Sequence, residues 1–167
     1  HFKRLTAPDE QRSQTYLSLI YGASGFLYFI YPVIHQATWD GMAALGREIR
    51  EMEPWLVTLP VPLELDYLAG SNWVAASDIA AREVHVTVRH VAGQGYLLLA
   101  ANSALHPVDV AMTLPWPGIE KQVRQLFAGR THTLQDGVLA ERLEPLATRA
   151  YRLQADACPG PLALGVR

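Results

Sequence analysis

The sequence contains one cysteine, Cys158, so no intramolecular disulfide can form and no cysteine-rich zinc site can be assembled. That single residue leaves the cellular compartment open. No uninterrupted apolar run reaches spanning length. The longest such region, about 17–34, includes Ser18, Gly22, Ser24, Gly25 and Pro32 and changes period halfway. It therefore does not read as a membrane helix, and no membrane partner is expected. An excess of one charge is also missing, with 14 Lys and Arg against 16 Asp and Glu spread without long runs. This excludes the broad cationic surface that a nucleic-acid backbone demands. No GxSxG elbow is present to activate a serine, and no HExxH pair is present to hold a metal. His85, His90, His106 and His132 are scattered with no Asp, Glu or Cys at ligand spacing, so neither metal nor cofactor is assigned. There is no internal repeat and no low-complexity tract. An initiator Met and a charged-then-apolar leader are both lacking at His1-Phe2-Lys3-Arg4, which leads to the expectation of a chain that begins after processing or inside a longer parent.

What is present is enough apolar material, half of 167 residues, to bury a core of ordinary size. Thr6-Ala7-Pro8-Asp9 combines a capping residue, an early proline and an acid three positions after the cap, which suits the first turn of a helix over about 7–21. Gly22 and Gly25 mark its stop. Gly25 to Tyr31 is apolar and aromatic throughout, the pattern of a strand buried on both faces of a parallel sheet. Thr38 is then placed to cap a second helix, in which Met42, Leu45, Ile49, Met52 and Leu56 recur at spacings of three and four. Helix, buried strand and amphipathic helix make a slice of α/β architecture too short to close a sheet alone.

Beyond Pro60 and Pro62 the texture becomes that of an antiparallel sandwich. Val84, Val86 and Val88 alternate with His85, Thr87 and Arg89, Gly93-Gln94-Gly95 makes a turn, and Tyr96 to Ala101 returns as a hairpin strand. Further strands are predicted at Leu63 to Leu68, Val108 to Leu114, Gln122 to Phe127, Arg130 to Leu134, Val138 to Leu143 and Thr148 to Leu153. The predicted class is α+β overall, with residues 1–60 as helix, strand and helix, 61–154 as the β-sandwich and 155–167 as a loose end.

Several segments together resemble a known family. Thr6 to Arg12, Thr15 to Gly25 and Tyr28 to Tyr31 resemble the last units of certain (β/α)₈-barrel glycoside hydrolases, and Trp39 to Leu56 is similar to the closing helix. Leu97 to Ser103, Pro107 to Val110, Leu126 to Arg130 and Glu144 to Leu153 are similar to the C-terminal sandwich of those enzymes. The resemblance implies the terminal βα units of a TIM-type barrel followed by an accessory sandwich, within a parent that hydrolyses O-glycosyl bonds. Such enzymes use two carboxyl groups flanking the scissile bond, at the C-terminal ends of barrel strands. The one barrel strand readable here, Gly25 to Tyr31, has neither Asp nor Glu, so the acid pair is expected upstream and the chain alone is expected to be inactive. Its apolar surface would then be covered by the missing barrel segment or by another copy of the chain.

Tyr28, Tyr31, His35 and Trp39 fall at or just past the C-terminal end of that strand, where barrel sites form, and they are the candidate substrate-binding residues. Aromatic faces suit sugar C–H surfaces, and His35 can hydrogen-bond a hydroxyl; core packing is the competing reading for the aromatics. His1, Phe2 and Arg4 precede the first helix on the same side, with a disordered terminus as the alternative. Asp40, the one acid near this loop, suits a role at the helix dipole. Glu64 and Asp66 alternate with apolar neighbours and read as solvated surface. Trp73 and Trp116 offer either a sugar-stacking face, which would make the sandwich a carbohydrate-binding module, or packed core.

Overall fold

The computed structural model describes residues 6–27, 35–69, 72–74, 82–155 and 162–166. Helix α1 spans Pro8–Ile20 and helix α2 spans Gln36–Leu56. Ten strands follow among the described residues: β1 Leu63–Ala69, β2 Asn72–Val74, β3 Val84–Val91, β4 Gly95–Asn102 and β5 Val108–Thr113, then β6 Gln122–Gln125, β7 Arg130–Thr133, β8 Val138–Leu143, β9 Thr148–Leu153 and β10 Leu162–Val166. They form two five-stranded sheets, ordered β3-β4-β9-β6-β7 and β2-β1-β10-β5-β8. Pairing is antiparallel except between β1 and β10, which run parallel with Leu63 opposite Leu162.

The architecture has three layers. Val84, Val86, Val88, Tyr96, Leu98 and Ala100 point between the sheets and meet Val110, Met112, Leu139 and Leu143 from the other side. The opposite face of the same sheet, with Leu97, Leu99, Ala101 and Ala150, packs against Tyr16, Leu19, Ile20, Leu45, Met52 and Trp55 of the helices. Strand β4 is thus buried at every position, and its unbroken apolar run Tyr96 to Ala101 follows from having a layer on each side.

The polar half of β3 shows why periodicity alone was insufficient. An alternating strand normally turns its polar face to water, yet His85, Thr87 and Arg89 are all buried under the helices. Arg89 satisfies this position by donating to the carbonyls of Leu56, Thr58 and Leu19, at the ends of both helices. A fixed cation there complements both helix dipoles and the orphan C-terminal carbonyls.

Four sequence expectations are corrected. Helix α1 is capped at Ala7 rather than Thr6, and Glu10, three residues on, accepts the Ala7 N–H at 2.9 Å. Helix α2 starts at Gln36, two residues before Thr38, with His35 as its N-cap. Asp40 consequently sits in the second turn, bonded to Gln36 Nε2 at 2.9 Å, beyond the turn in which the dipole acts most strongly. Within the expected loose end, Leu162–Val166 form β10, bridging β1 and β5. Of the expected barrel strand, residues 25–27 have no regular structure and the remainder lies outside the described residues, as do His1, Phe2 and Arg4. The side chains of Glu64, Asp66 and Trp73 are likewise outside the description.

Candidate functional site

The two helices run parallel, as three contacts along their length show. Pro8 lies against Gly41, Arg12 bonds Glu48, and the carbonyls of Leu19 and Leu56 share Arg89. N-terminus therefore meets N-terminus, and the α2 start projects past the start of α1 by the five residues between Gln36 and Gly41, about 7 Å of helix. His35 and Trp39 are placed at this end, one turn apart on one face, and both are exposed, Trp39 by 46%. An imidazole and an indole open to solvent can offer a hydrogen bond and a flat apolar surface to the same ligand. Tyr28 and Tyr31, the other two predicted members, lie outside the described residues.

Behind this end, a polar network locks the helices to the sheet. Arg12 donates to Glu48, to Tyr16 Oη at 3.2 Å and, through Nε, to Thr148 Oγ1 at 2.7 Å. Tyr16 Oη donates to Glu48 Oε2 at 2.8 Å. Burial, with Glu48 alongside and against the pull of Arg12, pushes the Tyr16 phenol well above its ordinary range, so it remains a donor at any physiological pH. A second such group ties the two sheets: Glu141 of β8 accepts from Arg149 Nε at 2.7 Å and from the buried Tyr151 hydroxyl, both on β9. Burial and that carboxylate likewise raise the Tyr151 phenol. Sequence reading missed both groups, because each joins elements distant in the chain, with bonded members up to 136 residues apart. The only local signal was polar residues inside otherwise apolar elements.

The histidines resolve into packing roles. His85 Nδ1 is hydrogen-bonded with the Tyr21 hydroxyl at 2.6 Å and Nε2 with Ser103 Oγ at 3.0 Å. Burial, then the nearby Arg82 charge, lowers the His85 pKa. His90 stacks on Tyr96, and His132 bonds Gln125 and meets the Tyr151 ring edge-on. His106 has gained an acid that local spacing did not show, Glu83 at 3.0 Å. Among the described residues no group of three or more His, Cys, Asp or Glu is placed to hold a metal ion. Trp116 is 4% exposed and packs on Tyr96 in the sandwich core, so it presents no stacking face. Among the described residues no helix is long and apolar enough to cross a membrane.

No protein-family model matches the sequence, and no curated protein matches it. The fold, however, is found within glycosidases. AmyP in complex with maltose superposes with a TM-score of 0.60 at 10% identity, covering 91% of this chain and 36% of AmyP. Alpha-galactosidase I from Mortierella vinacea gives 0.57 at 11% identity, over 92% and 37%. A GH27 β-L-arabinopyranosidase from Geobacillus stearothermophilus in complex with arabinose gives 0.56 at 16% identity, over 94% and 32%. The chain thus spans about a third of the length of these glycoside hydrolases and shares the fold of that third.

Proposed function

We propose that the chain is the C-terminal part of a glycoside hydrolase, with residues up to about 60 completing a (β/α)₈ barrel and the sandwich serving as an accessory domain. The observation that carries this reading is the parallel pair of helices. Two consecutive parallel helices require the segment between them to run back along their length, about 20 Å for α1 alone, and a barrel repeat of helix, strand and helix has that geometry. The described part of the segment joins neither sheet of the sandwich, which suits a strand whose neighbours lie elsewhere. Coverage of nine-tenths of this chain but only a third of each glycosidase agrees with the same division.

In this reading Tyr28, Tyr31, His35 and Trp39 form part of the sugar-facing wall, because barrel sites form where strands lead into helices. The catalytic acid pair comes from the preceding barrel units. The two carboxylates held in the networks, Glu48 and Glu141, are each committed to an arginine and a tyrosine, which suits structural service and not the paired acid and base work of glycoside hydrolysis. Exposed apolar side chains, Leu27 at 89% and Leu59 at 88% with Tyr21 and Val57, are the surface that the remaining barrel or a second copy of the chain would cover. The rival view of the sandwich as a free-standing carbohydrate-binding module loses one of its two tryptophans to the core.

The test is hydrolysis of α-galactoside and α-glucoside substrates by the protein in its full reading frame, beside Trp39→Ala and His35→Ala. Activity with KM raised in the variants supports the assignment. A full-frame protein inactive on every glycoside tried, or variants with unaltered kinetics, argues against the hydrolase or against this wall respectively.

A further inference from the structure

The described residues contain three non-glycine positions with positive φ, and two of them, Phe127 at 65° and Leu146 at 59°, line the same cleft. A bulky apolar residue in the left-handed region is uncommon, and such strain gathers where a site needs a particular shape. Phe127 lies in the β6–β7 turn and Leu146 in the β8–β9 turn, and the cleft between them measures about 390 Å³. That is within the range of small-molecule sites.

Its walls identify the ligand class. Arg12 and Arg149 face it, as do Asp9 and Glu48, so two cations balance two anions and no net field favours an ion. Arg12 uses one N–H on each terminal nitrogen for Glu48 and Tyr16, and Arg149 uses Nε and Nη1 for Glu141 and the Thr148 carbonyl. Each guanidinium carries five donors, so both retain N–H groups for a ligand. The Phe127 side chain, 38% exposed, supplies a flat apolar edge beside these donors and acceptors. Donors and acceptors together with one aromatic side chain, at zero net charge, are complementary to a neutral polyhydroxylated ring.

We infer that this cleft binds a neutral saccharide unit, held by Arg12, Arg149 and Asp9 with Phe127 against its C–H face. The inference rests on the carbohydrate reading above only for the choice of saccharide. The Phe127 conformation gives it a clean variant, since Phe127→Gly removes the ring while relieving the backbone, and Phe127→Asn removes the ring with a residue that tolerates the same φ.

The experiment is hydrogen–deuterium exchange, resolved by peptide, on the protein in its full reading frame with maltose, galactose or inorganic phosphate. With saccharide at ten times its dissociation constant, peptides spanning 125–130 and 144–150 should exchange about tenfold more slowly where opening requires release of the ligand. Phe127→Gly and Phe127→Asn should lose that protection while the unliganded pattern of the sandwich stays native. Absence of saccharide protection in both peptides, equal protection in the ring-deleted variants, or protection by phosphate in place of sugar each overturns the inference. Because exchange is read without turnover, an inactive enzyme with a protected cleft overturns only the hydrolase reading, and an active enzyme with an unprotected cleft overturns only this one.

Discussion

Replacing Arg89 by methionine should unfold the junction between helices and sandwich more readily than any other change of a single β3 side chain. Arg89 is 4% exposed and its guanidinium holds the carbonyls of Leu19, Leu56 and Thr58, so methionine fills most of the volume while leaving three acceptors without this donor. Hydrogen bonds from a charged donor are worth about 1.5–3 kcal/mol each. Against their sum stand the desolvation of the charge that methionine avoids and the access of water to frayed helix ends, which together remove more than half of the gross figure. A net loss of about 3 kcal/mol remains, a large fraction of the stability of an ordinary domain. For a domain of this size that corresponds to about 6–12 °C in melting temperature. Urea titration followed by far-UV circular dichroism would measure it, with Arg89→Lys as companion. Lysine preserves the charge but, as a point donor, cannot span three carbonyls, so its midpoint should fall between the other two. A loss under about 1 kcal/mol for Arg89→Met would refute the argument, because it would mean that water or neighbouring amides serve these carbonyls equally well.

Two further outcomes are expected. His85 has a folded pKa below its ordinary value of about 6.5, so the unfolded chain binds the extra proton first; stability contributed by the neutral ring is complete above about pH 6.5 and declines as pH falls from there toward the lower folded value. A urea midpoint that stays flat across that interval in the wild type, or that slopes equally in His85→Gln, would remove His85 as the cause. Gly95→Ala should destabilise by about 2 kcal/mol or more: φ there is 83°, an added Cβ would lie 2.5 Å from the Leu153 carbonyl oxygen, and the Gly95 carbonyl that accepts Trp55 Nε1 would be displaced. Unchanged thermal unfolding of that variant would show that the β3–β4 turn relaxes freely.

Strands were read from sequence with unusual fidelity in this chain. Val138 to Leu143 and Thr148 to Leu153 match the prediction to the residue, and six others match to within two residues at either end. The reason is physical: each is short and bounded by turn residues, and most alternate with a period of two, all of which are local properties. The two strands missed have no such marks. Asn72–Val74 has only three residues, and Leu162–Val166 follows a Pro-Gly-Pro stretch and owes its order to pairing with β1, about a hundred residues earlier.

The sequence by itself determined the composition of the layers: which stretches are amphipathic helix, which are strand, where turns fall, and that no disulfide or polybasic surface contributes. Tertiary structure decided what each face meets. Nothing within Val84 to Val91 records that its polar residues lie under two helices, nor that Arg89 closes the ends of both. For Trp116 the sequence favours packing but leaves a sugar face open, and only Tyr96 placed against it decides for the core. The cleft between Phe127 and Leu146 exists only because two turns, separated by β7 and β8, converge beside Arg12 of α1. Periodicity reports the solvent preference of a chain segment, whereas burial, pairing and charge balance depend on neighbours far away in sequence, and only the fold supplies them.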